Sequence, residues 1–74
     1  MAAATDALER ALSIARAQEA RWLELRAATD LARLHAQQGR RTDATALLAS
    51  ALGGYPDALD LPDLRAAREL RAAL

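Results

Sequence analysis

The sequence contains no cysteine, phenylalanine, valine or lysine, and it has one tryptophan and one tyrosine. Without cysteine, neither a disulfide framework nor a thiolate zinc site can form. Because strands need β-branched and aromatic side chains to cover a pleated surface, an all-β or mixed fold is close to excluded. No apolar run approaches the roughly 20 residues that span a bilayer, and the first five residues lack the layout of a signal peptide. These absences predict a soluble, cytoplasmic chain with no membrane partner.

Alanine and leucine dominate what is present: 21 alanines and 14 leucines make up nearly half of the 74 residues. Both are strong helix formers, so the composition predicts one small all-α domain over residues 1–74. The ten basic residues are all arginine and balance ten acids. This neutrality, together with too few aromatic residues for a base-stacking platform, argues against nucleic acid as a partner.

Glycine and proline punctuate the helical pattern. Gly39 and the cluster from Gly53 to Pro56 follow periodic apolar runs, as glycine does at helix C-termini. The pattern predicts helices over about 4–18, 21–38, 43–52 and 62–74. Residues 4–38 contain no breaker, so they form either one long helix or two joined by a tight turn. Two are favoured, because 35 residues is long for a globular helix.

The starts of the last two helices carry capping signals. Thr42 is the predicted N-cap of the third helix, with Asp43 at the positive end of its dipole. Asp60 or Leu61 caps the fourth helix, and Pro62 lies in its first turn, where a missing N–H costs nothing.

An internal repeat is the most informative feature of the sequence. Residues 4–12 match 44–52 at five of nine positions, and 25–31 match 64–70 at five of seven. Spacings of 40 and 39 residues are typical of helical-hairpin arrays. The phase gives a half unit over 1–20, a full unit over 21–56, and a half unit or capping helix over 57–74. Such a chain is expected to belong to a longer array or to cover an open end by self-association.

The full unit resembles a tetratricopeptide repeat. The matching residues are Leu31, Ala32, His35, Gly39, Ala44, Leu48, Ala51 and Pro56, and the first helix repeats three of them as Ala4, Leu8 and Ala11. Ala28 and His35 stand where the family usually has tryptophan and tyrosine. The resemblance implies four antiparallel helices in stacked hairpins, with the matching residues at helix crossings and in packing.

A narrower similarity runs from Leu25-Arg26-Ala27-Ala28 through Gln38-Gly39-Arg40-Arg41 to Leu61-Pro62-Asp63-Leu64. These segments resemble the C-terminal repeats of large bacterial regulators, where such repeats follow an ATPase module and often accompany a cyclase-like or DNA-binding domain. The similarity implies a protein–protein interaction or scaffolding module of a larger bacterial regulator. It implies no ATPase residue, because the chain has no glycine-rich phosphate loop.

The sequence shows no combination of residues that is typical of a catalytic or metal-binding site. No nucleophile, base and orienting group can be combined, so the sequence predicts no enzyme and no cofactor. Capping and solubility account for Asp57, Asp60 and Asp63. His35 is the only histidine. We expect it to pack where the family has tyrosine, with a metal site shared across an oligomer as the lesser alternative.

A polar stripe is the best candidate for partner binding. Arg26, Asp30, Arg33 and Gln37 recur at helical spacing along the second helix, with Thr29 on the edge. In the resembling family this helix lines the groove that takes extended peptides, which implies a protein or acidic peptide as partner. The other reading is a solvated helix face with a weak Arg26–Asp30 pair.

A structural bundle that associates only with itself, natural or designed, is the alternative function. Trp22 and Tyr55 are expected to plug the small core. Four leucines exceed what four short helices cover: Leu23, Leu34, Leu59 and Leu74. A homodimer through the unpaired face of the first or fourth helix would hide that excess.

Overall fold

The computed structural model describes residues 2–56 and 58–74, and within them the chain forms four helices and no strand. The helices are α1 (Ala2–Ala17), α2 (Arg21–Gln37), α3 (Arg41–Leu52) and α4 (Pro62–Ala73). The predicted all-α class is therefore confirmed, and each predicted boundary lies within two residues of the observed one. The expectation for Asp57 lies outside the described residues.

Residues 4–38 form two helices, as the sequence favoured. After α1, the Ala20 N–H donates to the Ala15 carbonyl at 2.8 Å and the Glu19 N–H to the Arg16 carbonyl at 3.2 Å. This 6→1 and 5→2 pairing closes a helix when the residue between adopts a left-handed conformation, and Glu19 does so with φ 55°. The break therefore needs no glycine in the sequence.

The α2–α3 turn has the same geometry with glycine in the left-handed position. The Arg40 N–H donates to the His35 carbonyl at 2.8 Å, and the Gly39 N–H donates to the Ala36 carbonyl at 3.1 Å. Gly39 has φ 78°. The two turns are equivalent and 20 residues apart, and each reverses the chain so that consecutive helices run antiparallel.

Substitutions at these two equivalent positions are expected to shift stability in opposite directions. Glu19→Gly should stabilise the fold by about 0.5–1 kcal/mol, because glycine enters the left-handed region without a Cβ penalty. Gly39→Ala should destabilise the fold by about 1 kcal/mol, because alanine is strained in the left-handed region. No clash with neighbouring atoms adds to this cost, since an added Cβ would meet nothing within 4 Å. Urea denaturation followed by circular dichroism measures both. A loss of stability in Glu19→Gly would contradict the shared turn geometry.

The start of α3 differs from the prediction. The helix begins at Arg41 with Arg40 as N-cap, so Thr42 lies inside the first turn and does not cap it. The reason is the preceding turn, which returns the chain to helical geometry immediately after Arg40. Asp43 lies in the first turn as expected, and its carboxylate accepts a 3.0 Å hydrogen bond from Arg40 Nε.

The connection into α4 is held by two arginines. Leu61 is the N-cap in an extended conformation, and Pro62 takes the first helical position. Arg65 donates hydrogen bonds of 3.2 and 2.8 Å to Asp60. These bonds hold the pKa of the Asp60 carboxyl below its usual range. Arg68 donates to the carbonyls of Leu59 at 2.6 Å and Pro56 at 3.0 Å, which fixes the segment against the helix.

The helices stack as hairpins around α2. Helix α2 contacts all three others and α3 contacts α4, whereas α1 contacts only α2 among the described residues. The largest fully buried side chains are Leu25, Leu48 and Leu64. Four alanines have no exposed surface: Ala28, Ala32, Ala44 and Ala67. Small residues at these positions let the helices approach closely, so the core is thin.

Most of the residues expected in packing are buried. The buried members are Leu31, Ala32, His35, Ala44, Leu48 and Ala51, and Leu8 is half-buried. The buried His35 ring has no hydrogen-bond partner for Nδ1 among the described residues. Because its side chain is buried, His35 lies in the interior and not on the polar stripe of α2.

Four residues expected in packing are exposed, and these predictions were wrong. Ala4 and Ala11 lie on a face of α1 that no described residue covers, because α1 has α2 as its only neighbour. Trp22 is 45% exposed, although its ring lies beside that of Tyr55 with ring centroids 5.5 Å apart. Pro56 is exposed, and it contributes a carbonyl acceptor for Arg68.

Candidate functional site

A shallow groove of about 190 Å³ runs between α2 and α4. Helix α2 supplies most of the predicted polar stripe to this groove, and α4 supplies two further residues. The lining residues are Arg26, Thr29, Asp30 and Arg33 from α2, and Asp63 and Ala66 from α4. The two helices that form the groove are those that the sequence repeat makes equivalent.

The ion pairing along the stripe differs from the expected one. Asp30 accepts a 3.2 Å hydrogen bond from Arg33, and the expected Arg26–Asp30 pair is absent. Both paired side chains are more than half exposed, so this contact contributes only tenths of a kcal/mol to stability. Arg26 is exposed and forms no ion pair with any residue that the structure describes. Its guanidinium is available to a ligand.

Thr29 and Gln37 do not extend the stripe as expected. Thr29 is only 6% exposed, and its hydroxyl donates to the Leu25 carbonyl at 2.8 Å, one turn back along α2. A threonine that faces the packed side of a helix commonly satisfies its hydroxyl in this way. Gln37 is exposed at the end of α2 and does not line the groove. The accessible polar residues of the groove on α2 are therefore Arg26, Asp30 and Arg33.

Asp63 and Ala66 belong to the groove, although the sequence interpretation left them out. Asp63 lies in the first turn of α4, where an acid stabilises the positive end of the helix, so the sequence offers a purely local reason for this residue. The repeat carries no signal for them, because at its 39-residue spacing Asp63 and Ala66 correspond to Glu24 and Ala27, which do not line the groove.

A larger cavity of about 590 Å³ lies between the end of α3 and α4. It is lined by Ala49, Leu52, Gly53, Tyr55, Arg68, Arg71 and Ala72. Arg68 is committed to two backbone carbonyls. Burial raises the pKa of the Tyr55 phenol, whose hydroxyl has no hydrogen-bond partner among the described residues. Arg71 is thus the only charged group here without a structural role, and the remaining lining is mainly alanine, glycine and leucine.

Comparison with protein-family models, curated proteins and solved structures gave no match. Within the residues that the structure describes, no three histidine or acidic side chains come together as a metal site. In the same part of the chain, no helix has the length and apolar character needed to cross a membrane. The chemistry of the α2–α4 groove is therefore the main guide to function.

Proposed function

We propose that the protein is a tetratricopeptide-like interaction module that binds an extended acidic segment of a partner protein in the α2–α4 groove. One observation carries this proposal: Arg26 lies exposed in a groove between two repeat-equivalent helices and has no ion-pair partner among the described residues. The stacking of α1, α3 and α4 around α2 supports the repeat architecture.

Arginine suits this role because its planar guanidinium donates two parallel hydrogen bonds to one carboxylate. In the groove, Arg26 presents this fork beside Arg33, whose partner Asp30 is itself solvent-exposed. Arg26 has no ion-pair partner among the described residues to give up when a partner carboxylate binds, whereas Arg33 would have to exchange one carboxylate for another. Arg26 is therefore expected to contribute most of the charge-dependent affinity.

The proposal predicts that Arg26→Glu weakens binding of a glutamate-bearing peptide by about tenfold or more. The probe is a labelled extended peptide that carries several glutamates, and the comparison peptide has glutamine at each of those positions. Fluorescence anisotropy measures both titrations. The unmodified protein should prefer the glutamate peptide, and that preference should decrease with added salt, as expected of exposed charges.

Two matched variants make the same charge change elsewhere. Arg41→Glu changes an exposed arginine in the first turn of α3, outside the groove lining, and should leave the affinity within about twofold. Arg71→Glu alters the larger cavity and should also have little effect. Equal binding of the two peptides, or loss of binding in Arg71→Glu with none in Arg26→Glu, would contradict the proposed site.

A further inference from the structure

One face of α1 is apolar and uncovered. Ala4, Ala7, Ala11 and Ile14 follow at intervals of three, four and three residues, so they share a single helix face. All four are exposed, and Ile14 is 50% exposed. Helix α1 contacts neither α3 nor α4 among the described residues, so this face has no neighbour.

The equivalent face of α3 is a helix–helix interface. In the repeat, Ala4 corresponds to Ala44 and Ala11 to Ala51, and both counterparts are buried in the core. Both alanines belong to α3, which contacts both α2 and α4. The corresponding face of α1 therefore has the apolar composition of a packed interface but is exposed to solvent, which is unfavourable for apolar surface.

The opposite end of the molecule does not offer a matching apolar face. The 39-residue repeat places Arg68 and Arg71 of α4 where α2 has Thr29 and Ala32. Arg68 is tied to two carbonyls and Arg71 is exposed. Docking the α1 face there would bury a guanidinium against alanine, which is costly without a partner. A head-to-tail stack of copies is thus disfavoured.

The α1 face is instead complementary to itself. Its spacing reads the same from either end, so antiparallel pairing of two α1 helices sets Ala7 opposite Ala11 of the second copy. The same register sets Ile14 opposite Ala4, which pairs a large side chain with a small one. Such large-to-small matching lets two helices approach closely without leaving a gap.

The charges beside this face are also self-complementary. Asp6 and Arg10 lie one turn apart on α1, and both are exposed. Antiparallel pairing brings Arg10 of one copy beside Asp6 of the other, and the two-fold symmetry generates the contact twice. Parallel pairing would place the Asp6 and Arg10 edges of the two copies on opposite sides of the interface, where these charges could not pair.

We propose that two copies of the chain associate through antiparallel pairing of their α1 helices, with Ala4, Ala7, Ala11 and Ile14 at the interface. This inference does not rest on the α2–α4 groove. The groove residues named above lie on other helices, so a partner peptide and a second copy occupy separate surfaces. Failure of one proposal leaves the other standing.

Sedimentation equilibrium between about 1 µM and 1 mM protein tests the association. The unmodified chain is expected to form dimers and nothing larger. Ala7→Glu or Ala11→Glu should each weaken dimerisation by about a hundredfold, because the symmetric interface would bury two unpaired carboxylates. Ala46→Glu makes the same change at an exposed position of α3 and should leave the dimer unchanged. Circular dichroism checks that each variant remains folded.

Two further variants test the antiparallel register. The double variant Ala7→Arg with Ala11→Glu faces each arginine with a glutamate of the second copy, so dimerisation should recover relative to either Glu variant. Because the chain has no cysteine, a mixture of Ala7→Cys and Ala11→Cys chains should also form a disulfide heterodimer on oxidation. A monomer throughout the concentration range, or equal loss of dimer in Ala46→Glu, would overturn the proposal.

Discussion

Leu48→Ala is expected to destabilise the protein by about 3 kcal/mol or more. Leu48 has no exposed surface and lies in the core cluster with Leu25 and Leu64. Removing three carbons forfeits their burial and leaves a cavity that a thin core of alanines cannot fill. A chain of this length has only about 4–10 kcal/mol of total stability, so one such loss is a large part of it.

The matched control is Leu23→Ala, which makes the same chemical change at a side chain that is 54% exposed. That variant should change stability by less than about 0.5 kcal/mol. Thermal and urea denaturation followed by circular dichroism compare the two at low protein concentration. If Leu48→Ala were no more destabilising than Leu23→Ala, the described core would be wrong.

Ala32→Leu is the second change with a large expected effect, a loss of about 2–3 kcal/mol. Ala32 has no exposed surface on α2, the helix that contacts all three others. A leucine there must displace neighbouring atoms or force α2 away from a packed helix, because protein interiors leave no room for three additional carbons.

Ala46→Leu separates this packing effect from helix propensity. Ala46 is exposed on α3, and leucine is nearly as good a helix former as alanine, so stability should remain within about 0.5 kcal/mol. Denaturation of both variants in urea gives the difference. An Ala32→Leu variant as stable as Ala46→Leu would mean that the buried alanines serve only as helix formers.

The sequence predicted the helices well because their signals are local. Alanine and leucine favour helix throughout, and Gly39 and Pro62 mark boundaries through backbone geometry that depends on few neighbours. The turn at Glu19 carried no such mark, because glutamate rarely adopts the left-handed conformation and so does not indicate a turn in the sequence. Only the improbable length of a single helix indicated it.

The candidate site was less predictable because it depends on how helices are placed in space. The stripe on α2 follows from helical spacing, but the burial of Thr29 and the presence of Asp63 depend on where α4 lies. Trp22 shows the same limit. Its size favours the core, yet it lies in the first turn of α2 and is 45% exposed beside the ring of Tyr55.

Peptide titration followed by nuclear magnetic resonance tests the central proposal most directly. The glutamate peptide should shift the amide signals of Arg26, Asp30 and Arg33 together with those of Asp63 and Ala66, so that the perturbed residues outline the α2–α4 groove. The glutamine peptide should perturb them weakly. Shifts confined to Arg71 and the end of α3, or none at peptide concentrations up to about 1 mM, would contradict the proposed function.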